Sequence, residues 1–141
     1  MRVNPAADAN PNVVRVNYEG RIFQPVTPPS DPAGDATAAS VDAAPSGDVG
    51  PDTRFRYHQD GDVVWATYGG GRVQFGTMIA AVSADGTLEA RYQQVSHDGT
   101  IKTGRCRSTP EFLPDGRVRL HEEWAWTEGD LGSGSSIVEE L

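Results

Sequence analysis

One cysteine, Cys106, is too few for an internal disulfide or for a zinc site built from cysteines, and it fits a reducing compartment. Basic residues are also scarce. Twelve Lys and Arg stand against 20 Asp and Glu, for a net charge of -8, so a nucleic-acid backbone or an anionic lipid surface would be met with repulsion. Neither is expected as a partner. No run approaches the roughly 18 apolar residues of a membrane-spanning helix, and Met1-Arg2-Val3-Asn4-Pro5 lacks the apolar stretch of an export signal. The expected location is the cytoplasm. Long helical periodicities are missing as well, while 16 Gly and 10 Pro punctuate the 141 residues, which favours one all-β domain over a helical bundle.

Residues 1–12 are small, polar and broken by proline, and read as a flexible tail ahead of a single domain at 13–141. Val13 to Tyr18 reads as a first strand, Glu19-Gly20 as its turn and Arg21 to Val26 as its return. The 26 residues 27–52 differ in kind. They hold five Pro, six Ala, five Asp and three Gly, with no aromatic and no basic residue, so they are expected to form a disordered acidic loop interrupting the domain. From Thr53 onward, apolar-polar runs alternate with glycine-bearing turns. Four of these turns contain Asp-Gly, at 60–61, 85–86, 98–99 and 115–116, a dipeptide that supplies the positive φ of tight hairpins.

Successive strands are therefore antiparallel neighbours, and a long meander closes on itself to remove its edges. The expected fold is all-β: a single antiparallel up-and-down meander closing into a small, lipocalin-like barrel of about 8 to 9 strands. Its predicted inward set is Phe55, Tyr57, Trp65, Val73, Phe75, Ile79, Leu88, Ala90, Tyr92, Val118, Leu120, Trp124 and Trp126, with Ile137 from the last strand. Arg117 to Trp126 is the most telling run. Val118, Leu120, Glu122, Trp124 and Trp126 share one side of it, which places a carboxylate among indoles and aliphatics.

Such a carboxyl would have a raised pKa through desolvation and could exchange a proton near neutral pH, with Tyr92 as a second candidate group. The plainer alternative for Glu122 is a structural ion pair with an arginine such as Arg105. Tyr57, Gln59, Tyr92 and Gln94 fall on the apolar faces of their strands and could orient a ligand by hydrogen bonds, or simply fill the core. Trp65, Phe75, Trp124 and Trp126 would supply its apolar contacts. Cys106 reads as a small buried thiol, because flanking Arg105 and Arg107 point to the opposite face. His121-x-Glu123 and His58 lack metal-ligand spacing, and Gly69-Gly70-Gly71 has no helix after it to form a phosphate loop. No metal and no cofactor are expected.

The blocks Val16-Asn17-Tyr18-Glu19-Gly20-Arg21-Ile22-Phe23, Tyr57 to Tyr68, Arg91-Tyr92-Gln93-Gln94, Thr103 to Glu111, Arg117 to Glu128 and Ser135 to Leu141 together resemble a family of short bacterial proteins commonly labelled n-acetylglutamate synthase. The activity in that label implies a glycine-rich loop opening a helix to cradle a pyrophosphate, and this chain has neither. In architecture the meander is similar to lipocalin-like and avidin-like small barrels, a resemblance that implies a small molecule held inside. The leading expectation is binding of a hydrophobic or aromatic ligand in the barrel by a monomer or homodimer. One alternative is a cofactor-independent isomerase or cyclase using Glu122 in the same cavity. The other is a non-catalytic interaction module with a filled barrel.

Overall fold

The computed structural model describes residues 16–26, 49–128 and 132–141. The predicted tail 1–12 and residues 27–48 of the predicted acidic loop lie outside the described residues. Eight strands follow one another: β1 (Ile22–Val26), β2 (Arg54–Asp60), β3 (Val63–Gly70), β4 (Val73–Val82), β5 (Leu88–Ser96), β6 (Ile101–Phe112), β7 (Val118–Trp126) and β8 (Ser133–Glu140). Each pairs antiparallel with the next and β8 pairs with β1, so the sheet is a closed barrel. The all-β meander expected from the turn chemistry is the fold observed.

Closure at the β8–β1 seam has its own clasp. Arg21 donates to Glu140 Oε1 at 2.6 Å, the same oxygen accepts from the Val118 backbone at 3.0 Å, and Leu141 N reaches Ile22 O at 2.9 Å. One side chain thus ties three neighbouring strands. The outward face carries charges at mid-strand, among them Arg91, Arg105, Arg107 and Glu123, where a lipid-facing barrel would need an apolar band.

The two ends of the barrel differ. At one end lie the β2–β3, β4–β5 and β6–β7 turns, and there Val16 to Tyr18 folds across the opening. This corrects the predicted first strand: its described part, Val16 to Tyr18, is not strand, and Tyr18 is fully buried as a plug. Tyr18 is held because its hydroxyl donates to Gly86 O at 2.6 Å and its ring centroid lies 5.9 Å from that of Tyr57. Gly86 has to be glycine on two counts. Its φ is +88°, and a Cβ there would stand 2.6 Å from Val16 Cγ2. Phe23, Val64, Leu88, Val118 and Leu120 pack solidly beneath the plug, each with no accessible surface. Tyr18→Phe should lower stability by about 1–2 kcal/mol, since the buried Gly86 carbonyl loses its donor; the urea midpoint measures it.

Four parts of the predicted inward set face the other way. Trp65 is 40% exposed, Phe75 53% and Ile79 59%, while Val64, Ala66, Met78 and Ala80 fill the interior instead. Ile137 pairs with outward His121, leaving Ser136 and Val138 to point in. On β4 the cause is a register shift between Val73 and Phe75, which reverses the alternation along the strand. On β3 the cause is the register of the hairpin: Ala66 is the ladder partner of inward Tyr57, so Trp65, paired with His58, shares the outer face.

Candidate carboxyl site in the open half of the barrel

Glu122 projects from β7 into the bore, level with Ser108 on β6 and Ser136 on β8. Both hydroxyls donate to it, Ser108 Oγ to Oε2 at 3.1 Å and Ser136 Oγ to Oε1 at 3.2 Å. The Arg105 ion pair considered from sequence does not form, because Arg105 is outward and exposed. Burial without a cation raises the Glu122 pKa to about 7, with the two serine hydrogen bonds pulling in the opposite direction. The residue as a whole keeps some accessible surface although its carboxyl is enclosed. With paired strands on both flanks, that surface faces the lumen, and the enclosed carboxyl governs the titration.

Three further groups feel this carboxylate. The Tyr57 phenol, buried with its hydroxyl 4.0 Å from Met78 Sδ, is pushed well above its ordinary pKa by burial first and Glu122 second. Burial likewise drives the Cys106 thiol upward, Glu122 adding to it and the Ser108 contact at 3.5 Å opposing it. That thiol stays protonated and unreactive at neutral pH. Tyr92 is raised by burial, then by Cys106 and Glu122, and its hydroxyl makes no hydrogen bond among the described residues. A neutral phenol facing the bore can donate to whatever enters.

Between Glu122 and the opposite end, three glycines shape the barrel wall. Tyr68 pairs across the ladder with Gly76, Tyr92 with Gly104 and Trp124 with Gly134. Each ring lies down on its glycine. A Cβ on Gly76 would be 2.5 Å from Tyr68 Cε2, one on Gly104 2.5 Å from Tyr92 Oη, and one on Gly134 2.7 Å from Trp124 Cζ2. The rings are thereby laid along the barrel wall instead of across the lumen. Trp126 completes the wall at 5.6 Å from Tyr92 and 5.9 Å from Trp124, with Lys102 Nζ 5.0 Å from its ring centroid. Phe55, Tyr92 and Trp124 stay partly accessible here, in contrast to the solid packing below.

A family model described as avidin-like protein matches residues 34–141. The chain belongs to the avidin-like family. No curated protein and no solved structure is matched by it, and the synthase label finds no support in these comparisons. The matched span includes β2 to β8, and with them Glu122, its two serines and the aromatic wall.

Within this avidin-like barrel the residues singled out from sequence separate into three groups. Tyr57, Tyr92, Glu122, Trp124 and Trp126 come together in the bore. Gln59 and Gln94 point inward but serve the framework. Gln59 accepts from Tyr18 N at 2.8 Å and donates to Gly61 O at 2.9 Å at the plugged end, and Gln94 Oε1 accepts from the Tyr68 hydroxyl at 3.0 Å. Trp65 and Phe75 lie on the outer surface, away from the bore. His121 pairs with Glu111 at 2.8 Å, not with Glu123, and His58 stacks on Trp65 at 5.6 Å. Ser108, Ser136 and the three platform glycines were not picked out from sequence. The register of the Asp-Gly turns could have found Gly104 and Ser108: counting out from the three-residue turns 97–99 and 114–116 sets Gly104 opposite Tyr92 and Ser108 opposite Glu122.

Proposed function

We propose that this avidin-like protein binds a small molecule in the open half of its barrel, with an apolar or aromatic body against Trp124, Trp126 and Tyr92 and a hydrogen-bonding group directed at Glu122. The observation that carries this reading is the enclosed, cation-free carboxyl of Glu122 beneath aromatic rings held back on glycines. A core built only for stability would close over such a group or pair it. Family membership supports the same reading. Native mass spectrometry of protein freshly purified from its own host tests it. A bound molecule lost on Trp124→Ala is the expected result, and an unliganded chain that also fails to take up indole, a neutral aromatic probe, would count against it.

A second reading is favoured by the Glu122 pKa of about 7, which suits a group that takes and returns a proton. In that case the cavity shapes a hydrophobic substrate for isomerisation or cyclisation, with the Tyr92 phenol as the second proton-carrying group. Glu122→Gln separates the two. A binder keeps its ligand, whereas a catalyst loses turnover by about a hundredfold or more.

A further inference from the structure

On the outer surface of β2 to β4, an apolar row that ends against Arg91 of β5 is bracketed along the strands by charges of opposite sign that form no ion pair among the described residues. His58, Trp65 and Ile79 lie side by side across three strands, with Val63 and Ala81 next to them. Trp65, Ile79 and Val63 are 40%, 59% and 44% exposed, which is unusual for contiguous large apolar groups on a soluble surface. Toward the open end stand Arg54 and Arg56, and toward the plugged end the Asp60-Gly61-Asp62 turn. None of these four charged side chains forms an ion pair among the described residues, whereas Arg21, Arg107, Arg117 and Arg119 all pair within the chain. The arginine side also contains a depression of about 280 Å³ lined by Arg54, Arg56, Thr67, Gln74 and Phe75.

We infer that this face is the interface of a homodimer, its occupant a second copy of the chain turned end for end. The charges stand symmetrically about the apolar row. At about 3.3 Å per residue along a strand, Arg56 and Asp60 stand roughly 7 Å to either side of His58. A two-fold axis lying along the His58–Trp65–Ile79 row would set Trp65 against Trp65 and place each acidic turn over the partner's arginine-lined depression. Apolar centre, charged rim and self-complementarity then coincide, as an isologous contact requires. The lumen site is on the other side of the sheet, so this inference stands apart from the ligand reading.

Sedimentation velocity and light scattering on the full chain test it. The expected mass is twice 15.1 kDa, with dissociation on dilution or at high salt. Trp65→Glu should weaken association by at least about thirtyfold, with Ile79→Glu as the substitute if the first variant does not fold. Arg56→Glu or Asp60→Arg alone should weaken it about tenfold, and the two together in one chain should restore it. A monomer up to millimolar concentration, or a dimer indifferent to both Trp65→Glu and Ile79→Glu, would overturn the interface. A double swap no better than either single change would overturn the end-for-end arrangement.

Discussion

Glu122→Gln should stabilise the protein at pH 8 and leave its stability unchanged at pH 4. The folded-state pKa of Glu122, about 7, lies above the ordinary value of 4.5, so the native state holds this proton more tightly than the unfolded chain. The resulting stability is fully present below pH 4.5 and is lost as the pH rises through 7. A glutamine, neutral throughout, never incurs that loss. The gap between variant and parent should open from near zero to roughly 3 kcal/mol, the free-energy equivalent of the pKa difference. Urea unfolding of both proteins at pH 4, 6 and 8 measures it, other titrating groups cancelling in the difference. A variant less stable than the parent at pH 8 would mean that the carboxylate is supported by its surroundings instead of strained by them. A stabilising loss of a buried charge is the signature of a group retained for function.

Gly104→Ala should block the bore while leaving the fold in place. The new methyl would occupy the position of the Tyr92 hydroxyl end, and that ring, partly accessible and without a hydrogen bond to hold it, can swing only into the lumen. Occupancy by the co-purifying molecule, or by indole, should fall about tenfold or more for a stability cost of about 1 kcal/mol. Gly76→Ala should behave differently. Tyr68 is 5% exposed and tied to Gln94, so its ring has nowhere cheap to go, and the cost should appear as about 1–3 kcal/mol of lost stability. Equal effects at the two positions would show that the rings do not line an open space at one and a packed core at the other.

These two substitutions also mark where sequence reading succeeded and where it stopped. Strands β5 and β7 were legible because one phase of each is charged. Glu89 and Arg91, or Arg119, His121 and Glu123, cannot all face a core, so Leu88, Ala90 and Tyr92, or Leu120, Glu122 and Trp124, must. Strand β3 offers no such contrast. Val63, Trp65 and Thr67 compete with Val64, Ala66 and Tyr68, and size favours the wrong set until the pairing of Ala66 with inward Tyr57 is known. On β4 a correct start at Val73 is spoiled by the bulge before Phe75, which no local pattern announces. The serines around Glu122 and the glycines under the rings come from cross-strand register, a property of pairs of strands and not of any one run.

The most direct measurement is a titration of the Glu122 carboxyl itself, by carbon NMR of selectively labelled protein with Glu122→Gln to assign the resonance. An enclosed, cation-free carboxyl in the lumen predicts a midpoint near pH 7. A midpoint near the ordinary 4.5 would place that group in free contact with water, and the account of the bore would fail with it.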